Sequence, residues 1–570
     1  MTTRFWTGRL RRLFALLIGL SLVAAACGGD DGGTTAGDGS GEGGEGAGGA
    51  VEDTMPEEAE GDPVPGGEVT YALEAETNNG FCLPEAQLAP PGMQVATTIY
   101  DTLTRPDADG EIQPFLAESV EPNEDATQWT ITLREGVTFH DGSPLDAQVV
   151  ANNIDAYRGA YPARSPLLFR FVFQDVESVQ VVDPLTVQVT MKRPWVAFDW
   201  ALFGSNRVGI MAQAQLDDPQ SCGTNLIGTG PFQLERWTVG EELVTVKNPD
   251  YWMKDEQGNQ LPYLDKLTYV PIPEVASRVN ALESGQVQMI HTSDTEQIAQ
   301  RLQPLAEADQ INLLATDRYG EVNYIMLNTS TAPFDNKNAR LALAHAIDRQ
   351  LLIDVRGSGL GQVANGPFAE DVVGHLEDPG FPEYDPAKAQ EYAAAYEAET
   401  GEPLRFAYTF VSTESGQLTA QEIQTQLADA GIDTSLDPAG DQATTINKAL
   451  AGDFQAMGWR NHPGTDPDRE NNWWYGGSPV NFGRFDDPEI NRLLDAGRET
   501  PPGEEREGIF QDLNRRFAEE VYNVWLSTAV WAVGASPNVE NILGYGPEGG
   551  TGAYPGLAIG HEVSGIWLSE

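Results

Sequence analysis

One stretch of the chain gathers the residue types that a ligand site needs. Trp459 and Arg460 end a run that reads as a strand; Asp466-Pro467-Asp468 comes next, then Trp473-Trp474-Tyr475. A carboxylate held partly out of water is a directional anchor for an ammonium group, because each charge loses solvation when left unpaired. Asp466 is the first candidate for that role and Asp468 the second. Trp459, Trp473, Trp474 and Tyr475 offer the apolar walls typical of small-molecule pockets. Trp459 and Arg460 also occupy a strand end, where α/β sheets place their ligands. The same residues allow a structural reading, in which the two acids cap the next helix and one or more rings pack in the core.

Chemistry that requires a nucleophile or a metal finds little support. The chain has six His and no H-E-x-x-H, and neither G-x-S-x-G nor a P-loop occurs. Gly544 to Gly549 spells G-x-G-x-x-G, but no amphipathic helix follows, Pro547 interrupts it and Glu548 repels phosphate. It reads as a surface loop. Asp107-Ala108-Asp109-Gly110 lacks the later ligands of a calcium loop and reads as a turn. His140-Asp141 precedes Gly142, and Asp141-Gly142 has a structural task in a tight turn. The residues point to binding, with no catalysis, no metal and no cofactor.

The elements that would position the candidate residues are clearest before Arg460. Asp385-Pro386 is an N-cap followed by Pro at N1, opening an Ala-rich helix that stops at Gly401. A strand over 404–411 is expected next. Then comes a helix with Ile423, Leu427 and Ala430 on one face, closed by Gly431. A strand at 432–436, a helix at 444–451 and a strand at 454–459 follow. This β-α-β-α-β order implies an α/β body with a largely parallel sheet. Elsewhere Trp129–Leu133 and Thr186–Met191 alternate with period two, and 67–73 reads as an opening strand.

The N-terminal segment sets the compartment. Arg4, Arg9, Arg11 and Arg12 precede an apolar run over 13–23, too short to span a membrane and suited to a signal peptide. Ala24-Ala25-Ala26-Cys27 resembles the lipobox of bacterial lipoproteins, with Ala24 where Leu is commonest; lipidation of Cys27 is expected. An ordinary A-x-A cleavage is the alternative. Residues 28–67 hold 15 Gly and 11 acids with no Lys or Arg, a composition that cannot bury enough surface to order itself and suits a flexible tether. Net charge divides as +4 over 1–27, −11 over 28–67 and, by difference from −52, −45 over the rest. Such acidity argues against nucleic acid and against docking on anionic lipid. With Cys27 lipidated, Cys82 and Cys222 remain as a pair in an oxidising compartment, and a disulfide is expected over two free thiols.

Several phrases occur together and in order. They are Leu133-Arg134-Glu135-Gly136-Val137-Thr138-Phe139-His140-Asp141-Gly142-Ser143-Pro144, Gly228-Thr229-Gly230-Pro231-Phe232 and Asn248-Pro249-Asp250-Tyr251-Trp252. After them come Pro262-Tyr263-Leu264-Asp265-Lys266-Leu267, Arg340 to Arg349, Asp385 to Ala389 and Phe485 to Asn491. As a set they resemble the family-five extracellular solute-binding proteins, the dipeptide, oligopeptide and nickel receptors of ABC importers. The resemblance implies an α/β fold of the two-lobed periplasmic-binding-protein type, class II-like and of cluster C, with an extra subdomain on the first lobe. Carried over, lobe 1 is 68–98, 226–316 and 525–570, the subdomain 99–225, and lobe 2 317–524. The D-P-D phrase resembles the one that supplies dipeptide receptors with an acid for the ligand's α-ammonium, here Asp466 first. Tyr324 and Asn328, with Asn78 and Phe81, stand where clefts of the family are lined. The implied protein is a monomer, secreted across the cytoplasmic membrane and held on its outer face by lipid alone. It would capture a small ligand, a peptide first, for ABC permease subunits. An oligosaccharide, opine or metal chelate is the alternative ligand; a secreted hydrolase or a sensory lipoprotein is the reading from another class.

Overall fold

The computed structural model describes residues 61–77, 80–440, 442–461 and 464–569, all within one compact unit, Gly48–Glu570. Cys27 and Asn78 lie outside the described residues.

The first lobe is built on a seven-stranded mixed sheet. Its strands run in the order Asn312–Thr316, Trp531–Ala535, Met289–Thr292, Glu68–Leu73, Lys266–Pro271, Glu242–Lys247, Phe232–Thr238. The opening strand Glu68–Leu73 lies parallel to both of its neighbours. Tyr71 and Leu73 enter one core and Ala72 another on the opposite face, as expected of a parallel strand covered on both sides.

The second lobe carries a five-stranded sheet in the order Asp433–Pro438, Arg405–Phe410, Ala456–Arg460, Val322–Leu327, Asn523–Thr528. Its first three strands are mutually parallel, as the β-α-β-α-β pattern requires. The helix Pro386–Thr400 opens with the Asp385 side chain accepting from the N–H of Ala387 and Lys388, and closes at Gly401 with φ 77°. Helix Glu414–Asp429 buries Ile423 and Leu427, and Gly431 follows it at φ 79°. The strand Asn523–Thr528 pairs antiparallel with Val322–Leu327, and Trp525 is fully buried in the lobe 2 core. The return crossing therefore lies at 529–530, a few residues beyond the expected boundary at 524/525. It runs beside the outgoing one, since the Ala529 N–H donates to Glu321 O over 2.8 Å.

Between these lobes' segments lies a four-stranded antiparallel sheet, Ala117–Pro122, Gln128–Leu133, Thr186–Met191, Val176–Asp183. The two period-two strands are neighbours, with Trp129 opposite Val189 and Ile131 opposite Val187. Their buried positions form one face, covered by helix Ala147–Arg158. Asp141 and Gly142 make the turn before that helix: Asp141 Oδ1 accepts from Ser143 N–H at 2.9 Å, and Gly142 has φ 80°. His140 reaches back, with Nδ1 accepting from Gly228 N–H at 3.3 Å and Nε2 3.0 Å from Gly230 O. Gly228 itself is pressed against the end of helix Pro90–Ile99. A Cβ there would stand 1.9 Å from Ile99 O, so the G-T-G phrase is explained by close backbone approach. Cys82 and Cys222 form a disulfide, with Cα atoms 5.0 Å apart.

Among the described residues no helix is long and apolar enough to cross a membrane. The 544–549 phrase is irregular loop followed, among the described residues, only by the single 3-10 turn Leu557–Ile559, and Glu548 pairs with Arg134 at 2.9 Å.

Candidate ligand-binding site

A cavity of about 1460 Å³ lies between the two lobes and the subdomain. Its walls differ in chemistry. The lobe 2 wall is aromatic. Trp459, half-buried on strand Ala456–Arg460, meets Phe482 edge-on with ring centroids 5.7 Å apart, and Trp473 meets the same ring at 5.8 Å. Tyr324, directly opposite Trp459 on the adjacent strand, packs on Trp525 at 4.9 Å.

The lobe 1 wall is polar. Glu74 follows the opening strand, and its Oε1 stands 2.9 Å from His291 Nδ1, near enough for attraction though neither carboxylate oxygen is aligned for a hydrogen bond. Burial alone would raise the Glu74 carboxyl; His291 and Arg278 outweigh it and hold it below the usual range. His291 is stacked on Trp531 at 4.8 Å. Arg460 crosses from lobe 2 to this wall. Its Nε donates to Asn323 Oδ1 at 2.8 Å, Nη1 to Ser293 Oγ at 3.3 Å, and its guanidinium lies 5.5 Å from the Trp531 ring.

The subdomain supplies the third wall through Trp195, Trp200 and the turn 204–207. Gly204, Ser205 and Asn206 are all left-handed, with φ 52°, 54° and 60°. A Cβ at Gly204 would meet Val208 Cγ2 at 2.2 Å. Such a run costs about 1–3 kcal/mol at each non-glycine position, and it persists only where the surroundings fix it. Here Asn206 Nδ2 donates to Ile559 O at 2.9 Å. Arg207 then enters the cavity wall, with Nε donating to Leu88 O at 3.0 Å. Burial pulls its pKa down to about 10, against the opposing pull of Glu321 and Glu470, so it is charged at neutral pH.

The D-P-D phrase is placed otherwise than expected. Asp466 is the N-cap of the short helix Pro467–Glu470, accepting from Asp468 N–H at 2.9 Å. Both of its oxygens face the Arg506 guanidinium, at 2.6 and 2.8 Å. Burial would raise its carboxyl, but Arg506 holds it below the ordinary value. Asp466 is not part of the cavity wall. Its geometry is that of a cap and ion-pair partner, the structural alternative weighed from sequence. Asp468 does border the cavity, yet it is 5 % exposed and accepts from Trp195 Nε1 at 2.7 Å and from Arg498 at 2.8 and 3.0 Å. Arg498 continues to Asp175 at 2.8 Å, and the partly buried Asp175 also meets Arg193 at 3.0 Å. The network ties lobe 2 to the subdomain.

The remaining candidates divide. Trp474 touches the cavity but is largely core, 4.8 Å from Phe517. Tyr475 is turned away, its hydroxyl donating to Asp495 Oδ2 at 3.0 Å. Asn328 is buried and donates to Gly452 O and Phe454 O at 3.2 and 3.0 Å, which fixes a loop. Phe81 is core, edge-on to Trp237 at 5.5 Å. None of these last three borders the cavity. Sequence reasoning missed Arg207, Arg498 and Arg506. Nothing local marks them, since each is brought to its place by long-range packing.

A family model for bacterial extracellular solute-binding proteins, family 5 (middle), matches residues 111–482. The glutathione-binding protein GsiB of Salmonella paratyphi A is 33% identical over 359 residues, which cover 62% of this chain and 66% of that one. The protein of the same name from Escherichia coli O1:K1 / APEC is 30% identical with the same coverage. The match thus spans 66%, just under two thirds, of the length of these relatives. Among solved structures, AgaA of A. tumefaciens R10 in complex with agropinic acid superposes with TM-score 0.76 at 27% identity, covering 88% of this chain and 99% of that one. DppA of Helicobacter pylori with the peptide STSA also gives 0.76, at 22% identity and coverage of 89% and 99%.

Proposed function

The chain belongs to the family 5 bacterial extracellular solute-binding proteins, and from that premise we propose that it captures a small ligand between its lobes and delivers it to the permease subunits of an ABC importer. The observation that carries this reading is the cavity of about 1460 Å³ with walls from both lobes and the subdomain. That volume exceeds the roughly 300–1,000 Å³ of ordinary small-molecule pockets, leaving room for a ligand of several residues. Aromatic faces on one side and hydrogen-bonding groups on the other suit a peptide, whose backbone and side chains present both kinds of surface. The relatives support that class: one is named for glutathione and one solved neighbour holds a peptide. An opine-like acid is the second reading, supported by the agropinic acid neighbour and by the Arg207 guanidinium, whose terminal nitrogens have no acceptor among the described residues. Ligand entry and capture would use the two adjacent crossings at 317–321 and 529–530 as hinges. A lipid on Cys27 would hold the monomer at the outer face of the membrane.

Native mass spectrometry of the purified protein, followed by calorimetry with what it releases and with glutathione and short peptides, tests the reading. A retained peptide or peptide-like acid, whose uptake stops when the partner permease is deleted, is the expected result. Retention of a neutral sugar alone would overturn the ligand class. Uptake that continues without the permease would overturn the importer role.

A further inference from the structure

Resting on the reading of the cavity as a ligand site, we propose that Arg207 is its carboxylate anchor, so that the ligand is an acid whose carboxylate docks on the 204–207 turn. The guanidinium fork is half satisfied. Its Nε is fixed by Leu88 O at 3.0 Å, which sets the plane of the group. Its two terminal nitrogens have no acceptor among the described residues, and no carboxylate there forms an ion pair with it. The nearby acids already have cations of their own: Glu321 has Arg460 at 3.4 Å and Glu470 has Arg469 at 3.8 Å.

Other guanidinium groups on the cavity wall are engaged by protein. Arg278 Nη1 donates to Ile272 O and Pro273 O at 2.6 and 3.0 Å, and Arg349 Nη1 to Ala364 O at 2.7 Å. Arg498 is held by Asp468 and Asp175. Arg356 Nη2 stands 3.6 Å from Glu296 Oε2, so among the described residues Arg207 alone on the wall leaves both terminal nitrogens without an acceptor. Its presentation is also specific. Consecutive left-handed residues deliver it, Asn206 clamps the turn to Ile559 O, and the Tyr157 hydroxyl donates to Gly209 O just beyond at 2.7 Å. A half-buried guanidinium with two parallel N–H groups unfilled matches a carboxylate in geometry as well as charge. A ligand carboxylate would satisfy donors that otherwise lose hydration as the cavity closes.

The test uses purified full-length protein and a panel of di- to pentapeptides, each as free acid and as C-terminal amide. Calorimetry on wild type should show free acids binding about 30-fold or more tightly than their amides, the loss expected when a desolvated charge partner is removed. Arg207→Gln should abolish that preference, bringing free acid and amide to equal affinity, and Arg207→Lys should restore part of it. Equal binding of acid and amide by wild type overturns the proposal. So does a preference that survives in Arg207→Gln, or a wild type that binds no free acid. If Arg207→Gln fails to fold, the wild-type ratio and Arg207→Lys still decide. Failure of the importer reading is separate: uptake of a bound acid that ignores permease deletion leaves the acid-to-amide ratio standing.

Discussion

Two charged regions border the same cavity and treat charge in opposite ways. Around the D-P-D phrase the network acids are matched by arginine: Asp466 by Arg506, Asp468 by Arg498, and Asp175 by both Arg498 and Arg193. At the 204–207 turn a guanidinium is built into the wall with its terminal nitrogens unfilled by any of the described residues. A buried pair that is complete holds structure, because removing either partner strands the other. A half-buried charge left incomplete, just after three residues held in left-handed conformation, is arranged for something the chain does not contain.

The contrast is tested most severely at Arg498, which is 1 % exposed and serves two acids. Arg498→Met keeps volume but leaves Asp468 and Asp175 short of a partner, and stability should fall by about 3–5 kcal/mol. Urea unfolding measures it. A loss under 1 kcal/mol would mean that the network is ornamental and that Asp468 is available to a ligand.

Asp466→Asn should be milder, about 2–3 kcal/mol, since the amide keeps size and capping capacity while losing the charge opposite Arg506. The sign of its pH dependence follows from the lowered carboxyl. Its folded-state pKa lies below the unfolded value of about 3.9, so its contribution is complete above that value and is lost as pH falls through the folded pKa. Wild type should lose stability on acidification below about pH 4 more steeply than the variant. Parallel acid limbs would contradict the pairing. If instead the variant lost its distinction between free and N-acetylated peptides, Asp466 would be the ammonium anchor that the D-P-D resemblance implied.

The lobe 2 fold was legible before the structure because its signals are local. Asp385-Pro386, Gly401 and Gly431 mark helix ends through backbone conformations that few other residues supply; in the subdomain, likewise, the alternation in Trp129–Leu133 gives a buried face directly. The site was legible only in part. Trp459 reaches the cavity from a strand end, as general α/β architecture implies, and Trp473 from the short helix Asn471–Trp474 that follows. The fate of Asp466 depended on Arg506, on a helix forty residues further along. No local spacing tells a cap paired with a distant arginine from an acid facing a ligand. Arg207 was invisible for the same reason, as its setting comes from Ile559 and Leu88 on other parts of the chain.

A third test compares the aromatic wall with both charged regions. Trp473 is half-buried, borders the cavity and leans on Phe482. Trp473→Ala should weaken ligand binding by about 1–2 kcal/mol through lost apolar contact, roughly 5- to 30-fold, in the range for removing a partly buried wall. Calorimetry with the ligand retained on purification checks it. Unchanged affinity would move Trp473 from the site to the lobe 2 core.

The smallest expected effect is at Tyr475, five residues beyond the D-P-D helix and a candidate wall residue by sequence. The hydroxyl donates to Asp495 Oδ2 at 3.0 Å, and Arg193 reaches the other oxygen of that carboxylate. Tyr475 thus belongs to the rim of the matched network. Burial first, and then the Asp495 contact, raise its phenol pKa, so the proton stays on the donor throughout the neutral range. Tyr475→Phe removes one hydrogen bond to a charged acceptor that keeps another partner and some water, which should cost about 1 kcal/mol. Ligand affinity should not change, because the ring does not border the cavity. The cycle with Asp495→Asn separates the possibilities. Coupling near the full single-mutant loss, with calorimetry unaltered, places Tyr475 in the network. Loss of ligand affinity with no such coupling would return it to the wall, and the line between matched and unmatched charge would then have to be redrawn.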